Sequence, residues 1–161
     1  MNDGMIRRLR RKLRGFIPAT EGAILTETLI VVPVITIFAV GILEFGNVFW
    51  QRHQVQVAVR DAARYWARCR AVAPFTTCDQ TIARNLAFYG NPAGTGGPRV
   101  AGWIDPASLD IAPLTPPSNP DRDDVVIVTG THTYIGSPLM RLIQIDAFDF
   151  SYTHQQRYMG W

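Results

Sequence analysis

The stretch Gly22-Ala23-Ile24-Leu25-Thr26-Glu27-Thr28-Leu29-Ile30-Val31-Val32-Pro33-Val34-Ile35-Thr36-Ile37-Phe38-Ala39-Val40-Gly41-Ile42-Leu43-Glu44-Phe45-Gly46 decides the fold. It is uncharged from Thr28 to Leu43 and carries one carboxylate, Glu27, near its start. A membrane-crossing helix needs roughly 20 mainly apolar residues, and Ala23 to Gly46 is long enough. Six cations stand just before it: Arg7, Arg8, Arg10, Arg11, Lys12 and Arg14. Lys and Arg near the end of a span stay on the cytoplasmic side. The expected topology is therefore a cytoplasmic leader at 1–22, a transmembrane helix half at 23–46, and an outer domain at 47–161 that includes the rest of the helix.

The apolar run exceeds the roughly 7–15 residues of a secretory h-region, and no small-x-small cleavage site follows it. Ordinary signal-peptide cleavage is thus disfavoured. Charge placement also argues against a nucleic-acid partner. The leader holds six of the 16 basic and two of the 13 acidic side chains, so ten and eleven remain for an almost neutral remainder. Nucleic-acid binders carry positive charge along a binding face instead.

Beyond Gly46 the periodicity changes without stopping. Val48, Val55, Ala58, Val59, Ala62, Ala63 and Trp66 recur at helical spacing, while Gln51, Arg52, Gln54, Arg60, Asp61, Arg64 and Arg68 supply polar positions. The spacing predicts one helix of roughly 45 residues whose outer half is amphipathic and must be covered. Pro33 removes one backbone hydrogen bond and is expected to kink it. Thr77-Cys78-Asp79-Gln80 reads as a capping box opening a second helix of about 12 residues, with Gly90 at its C-cap.

Gly90 to Pro120 is loop-like, since 12 of its 31 residues are Gly or Pro. Two extended pieces within it, 99–104 and 109–111, qualify at most as edge strands. Asp124 to Thr129 predicts a central strand, with Gly130 as a bulge before 131–135. Leu139 to Ile143 suits a single helical turn. From Ala147 to Tyr158, Phe148, Phe150 and Tyr152 alternate with Asp149, Ser151 and Thr153, the period of a half-buried strand. The two strands are expected to pair antiparallel, with the aromatic face covering the helix. The fold class is α+β: a long N-terminal transmembrane helix, continuing as an amphipathic helix, packed by a small C-terminal antiparallel sheet.

Cys69 and Cys78 both fall on the expected outer side, where oxidising conditions let thiols pair. A disulfide closing a loop of this size stabilises by roughly 2.5–3 kcal/mol in the chain-entropy model; two unpaired structural thiols are the alternative reading. His53, His132 and His154 show no ligand spacing and read as solvated or packed residues, so no metal or cofactor is expected. Asp121, Asp123 and Asp124 read as a polar turn, lacking the glycine and terminal glutamate of an EF-hand. Ser137, in Gly136-Ser137-Pro138, lacks the glycine two residues later that a nucleophile elbow needs. No catalytic residue is expected. Glu44, at the outer end of the apolar run, reads as an interfacial charge facing water, with pairing across a subunit interface as the alternative.

A cationic leader, then Gly22, Ala23 and a glutamate at Glu27 before an apolar run resembles the class III signal of type IV pilin-like proteins. The wider window adds Pro33, Gly41-Ile42-Leu43-Glu44-Phe45-Gly46 and Val59-Arg60-Asp61-Ala62-Ala63-Arg64. In this it resembles the TadE-like minor pseudopilins of the tight-adherence (Tad, or Flp) pilus system. Thr28 follows Glu27 where relatives often carry phenylalanine. The resemblance implies a pilin-like fold and cleavage by a prepilin peptidase between Gly22 and Ala23, leaving Glu27 as the fifth mature residue. It implies Glu27 as a charge-pairing group in assembly. It also implies the peptidase, a major Flp-type pilin, a second TadE-like pseudopilin, the inner-membrane pilus platform and the lipid bilayer as partners. The other reading of the same features is an unprocessed single-pass inner-membrane protein with a periplasmic binding module.

Overall fold

The computed structural model describes residues 20–70, 78–119, 121, 123–136, 140 and 147–159. Expectations for the leader before Thr20, for Thr77, for Ser137 and for most of Leu139 to Ile143 lie outside these residues; Met140 alone of that last segment is described, and it is helical. Helix α1 runs Thr20–Trp66 and continues through Pro33. Helix α2 spans Gln80–Tyr89. A short 3-10 turn, Pro106–Ser108, leads into β1 (Leu109–Ala112); β2 (Val125–Tyr134) and β3 (Phe148–Arg157) follow. Contacts divide the chain into two units, Met1–Leu43 and Glu44–Trp161.

In the first unit α1 carries its apolar side chains outward all round: Leu25, Leu29, Ile37, Phe38, Ile42 and Leu43 are 69–75 % exposed. A helix hydrophobic on every face is stable only inside other protein or in lipid, and this one is long and apolar enough to cross a membrane. Its threonines fit that setting. Thr26 Oγ1 donates to the Gly22 carbonyl at 2.6 Å, Thr28 to Ile24 at 2.8 Å and Thr36 to Val32 at 2.7 Å. Each hydroxyl is thereby satisfied within the helix, which an apolar solvent requires.

The second unit is a three-stranded antiparallel sheet, order β1-β2-β3, folded onto the outer half of α1. The strand beginning near residue 124 is central, as its run of β-branched residues implies. Alternation along β2 buries Val126, Val128, Gly130, His132 and Tyr134. On the helix side Val55, Ala58, Val59, Ala62, Ala63 and Trp66 are 0–2 % exposed, and the alanines among them let sheet and helix approach closely. Leu109 and Ile111 of β1, Ala83, Ala87 and Phe88 of α2, and Trp103 complete the core. Trp103 meets Phe88 edge-on at 4.9 Å and donates its indole N–H to the Thr131 carbonyl at 2.9 Å.

Several sequence expectations need correction. Gly130 is no bulge: it pairs in register with Leu109 on one side and Tyr152 on the other. A Cβ there would stand 2.7 Å from Val59 Cγ2 and 3.1 Å from Trp103 Cζ2, so the glycine makes room for the crossing helix. The aromatic face of β3 shares in covering the core: Phe150 and Tyr152 pack against it half-buried, while residues of β1 and β2 are buried within it. Of the two extended pieces only 109–112 is a strand; 99–104 turns back so that Val100 and Trp103 enter the core. Helix α2 is capped by Asp79, whose carboxylate accepts from Thr81 N at 2.8 Å, so the box written on Thr77 starts two residues too early. That bond, made first to the backbone of Thr81, holds the Asp79 carboxyl below its usual pKa. Gly90 closes α2 in the left-handed conformation, φ 75°, with its N–H on the Leu86 carbonyl.

Cys69 and Cys78 form a disulfide with Cα atoms 5.4 Å apart. It joins the residues just after α1 to the residue before the α2 cap. Trp66 Nε1 donates to the Pro113 carbonyl at 2.8 Å, and Met159 N to the Ala67 carbonyl at 2.8 Å, so the same end of the helix is also tied to the loop after β1 and to the end of the chain. Asp121 and Asp124 form the expected polar turn, Asp121 N donating to Asp124 Oδ2 at 2.8 Å.

Candidate functional site

Gly22, Ala23 and Glu27 stand in the first turns of α1, all exposed. Among the described residues nothing lies within 4 Å of where a Gly22 Cβ would be. Glu27 makes no hydrogen bond or ion pair among the described residues. An apolar helix thus presents a carboxylate four residues after Ala23, with no cation paired to it among the described residues.

Glu44 is different from its expected role. Rather than facing water, it is 8 % exposed and accepts the Tyr134 hydroxyl at 2.7 Å. Asn47, one turn on, donates its amide to the same phenol oxygen at 3.3 Å. Burial, and then the bond to Glu44, push the Tyr134 phenol above its ordinary pKa, against a smaller opposing effect of Asn47. One partner of Glu44 is therefore in its own domain, 90 residues away, and no spacing rule on the helix could have found it.

One turn further along α1, Gln51 Oε1 lies 3.1 Å from His132 Nε2. The His132 ring is 7 % exposed and stands edge-on between Trp103, at 6.5 Å, and Phe150, at 5.4 Å. It is a packed histidine, as its isolation in sequence implies. A groove of about 360 Å³, lined by Gln51, Asp105, Ser108, Thr131 and Thr133, opens beside it and gives protons a route from solvent. Burial lowers the His132 pKa below its ordinary value of 6.5, and the negative charge of Asp149 opposes that shift only in part. The unfolded chain therefore takes up the proton first as pH falls. Stability from this residue is complete above about pH 6.5 and declines as pH drops toward the lower folded value. A melting series from pH 7.5 to 5 should show a falling midpoint in the parent protein and a flatter profile in His132→Gln; identical slopes would refute the assignment.

Among the described residues no group of three His, Cys, Asp or Glu side chains is placed to hold a metal ion. The ion pair of Arg99 with Asp61, at 2.7 Å, ties the loop after α2 to α1.

No curated protein and no solved structure matches the chain. A family model described as TadE-like protein matches residues 22–64. The match begins at the glycine before Ala23, takes in Glu27 and Glu44, and ends in the buried stripe of the outer half of α1. Over this segment, about a quarter of its length, the chain is similar to the TadE-like family.

Proposed function

We propose that the protein is a minor pseudopilin, cut by a prepilin peptidase between Gly22 and Ala23, that takes part in assembling or priming a Tad-type adhesive pilus. The observation that carries this reading is the family match beginning at Gly22, on a helix whose apolar surface and early carboxylate Glu27 are exposed. The protein sits in the bacterial inner membrane, leader inside and sheet domain in the periplasm, until it joins the pilus machinery. Its role is structural, without catalysis of its own.

Cleavage creates an α-amine at Ala23 with an ordinary pKa near 7.7–8.0, one helical turn from Glu27. At a poorly solvated interface between apolar helices the two charges attract far more strongly than in water. Glu27 then meets the new amine, on its own chain or on a neighbour, and favours one axial register of packing. The peptidase, the major Flp-type pilin, a second TadE-like pseudopilin and the inner-membrane platform are the partners.

N-terminal sequencing of the protein from cells with and without the peptidase tests the first step. Ala23 should be the first residue in competent cells and Met1 in deficient ones. A leader retained in competent cells would sink this reading in favour of an unprocessed single-pass anchor carrying a periplasmic binding module. For Glu27→Gln, losing a charge-assisted contact of about 1.5–3 kcal/mol should cut incorporation into the pilus assembly roughly tenfold or more, with cleavage retained. Unchanged incorporation would remove the pairing role.

A further inference from the structure

At the Glu44 end of the outer domain, apolar side chains gather on the surface. Phe45, Phe49 and Trp50 of α1, Ile135 just after β2 and Phe148 at the start of β3 are 40–69 % exposed. Contacts between helix and sheet set them near one level. Along β2, Gly130 lies against Val55 and Val59, His132 against Gln51, and Tyr134 against Asn47 and Glu44, so the strand descends the helix toward Glu44. Ile135 comes next, and a Cβ on Gly136 would stand 3.6 Å from Glu44 Oε1. Phe148 pairs with Tyr134 across the strands, their rings 5.5 Å apart. Soluble monomers rarely collect large exposed apolar side chains in one place without a partner for them. We propose that this end of the sheet is seated in the headgroup layer of the bilayer that α1 crosses, with Ile135 and Phe148 touching lipid at the level of Phe45, Phe49 and Trp50.

The length of the helix selects lipid as the occupant. α1 is continuous from Thr20 to Trp66. From Glu27 to Glu44 it rises about 26 Å at 1.5 Å per residue, a little less than the roughly 30 Å of a hydrocarbon core. The outer boundary of the core therefore falls at or just beyond Glu44. The headgroup layer adds roughly 5–7 Å on each side, which takes in the turn or two that follow. Aromatic side chains with one wet end concentrate in that layer, and Trp50 stands there. A sheet end level with Glu44 and Asn47 lies in the same layer.

Glu44 itself fits this placement. A carboxylate at the edge of hydrocarbon is costly unless it is paired inside protein. Glu44 is buried, and it accepts the Tyr134 hydroxyl. The end of the sheet thus shields the charge on its inner side and offers an apolar rim to lipid on its outer side. Polar side chains resume further out, where Gln51, Asp105, Ser108 and Thr131 line the groove beside His132. The proposal rests on α1 crossing a membrane and is independent of cleavage at Gly22.

The full-length protein in phosphatidylethanolamine and phosphatidylglycerol vesicles provides the test, diluted so that most vesicles hold no more than a single chain. Single introduced cysteines are labelled with an environment-sensitive fluorophore, since the native pair is consumed by the disulfide. With a quencher near the carbonyl end of the acyl chains, Ile135→Cys and Phe148→Cys should each lose about half their emission, as expected of side chains roughly 5–10 Å into the interface. Leu114→Cys, exposed on the loop that binds Trp66 at the far end of α1, should lose almost none. Ile37→Cys, within the apolar run, should respond best to a quencher deep in the chains. If Ile37 is not quenched, α1 does not cross and the proposal falls with the span. If Ile37 is quenched while Ile135 and Phe148 respond no more than Leu114, the proposal alone is overturned, whether those two labels sit in water or under protein. A photoactivatable phospholipid applied to the unmutated protein removes dependence on the variants: its adducts should include Ile135 or Phe148, and adducts confined to α1 overturn the proposal.

Discussion

Gly130→Ala is expected to lower the thermal midpoint of the outer domain by roughly 4–12 °C, the equivalent of about 1–3 kcal/mol of overpacking in a domain of this size. The single methyl added would stand 2.7 Å from Val59 Cγ2, 3.1 Å from Trp103 Cζ2 and 3.4 Å from Val55 Cγ1. Relief is hard to find. Val55 and Val59 are fully buried, and Trp103 is held by its bond to Thr131. On an open strand the same change would stabilise, because glycine is a poor strand residue; here the contact with the helix outweighs that gain. Val59→Ala removes the closest clash, so in the double variant the second substitution should cost less than in the parent. Strict additivity, or a Gly130→Ala protein as stable as the parent, would mean that the helix yields freely and that the close approach has no energetic content.

Tyr134→Phe should destabilise the same domain by about 1.5–3 kcal/mol, the range for a hydrogen bond to a charged group. The phenol is 2 % exposed and its acceptor, Glu44, is 8 % exposed, so water cannot readily replace the lost donor. Glu44→Gln keeps an acceptor oxygen for Tyr134 and removes a buried charge, and should cost clearly less. Chemical denaturation of the two variants decides the matter. Equal losses would show that the charge of Glu44 is immaterial, and no loss in Tyr134→Phe would show that the carboxylate is solvated after all.

Features written in local periodicity were legible without coordinates. The long helix follows from its unbroken apolar run and the stripe beyond it, β2 from six residues rich in β-branching, and β3 from strict alternation. The disulfide follows from two cysteines on one side of a membrane span. What escaped depends on a neighbour distant in sequence. A strand glycine can mark a bulge or a close approach, and only the passage of Val59 over Gly130 separates the two. Thr77 and Asp79 are both competent N-caps, and the choice falls to the residue whose carboxylate reaches Thr81 N. Glu44 at the end of an apolar run resembles an interfacial charge until Tyr134 is found against it. Gly22, Ala23 and Glu27, the residues of the proposed processing site, are related by spacing along a single helix, so a sequence alone can set them together.

The seam between α1 and β2 changes chemistry along its length. From Glu44 to Gln51 the helix is held through side-chain hydrogen bonds to Tyr134 and His132; from Val55 to Trp66 it is held by dry contacts, then by the disulfide and the bond to Pro113. Dry packing yields only when the core as a whole opens, whereas a few polar contacts can exchange with water one at a time. Partial opening of the domain therefore starts at the Glu44 end, with the far end still pinned. It peels the beginning of the outer helix from the sheet, so that a short length of α1 can turn or tilt while the rest of the domain keeps its shape.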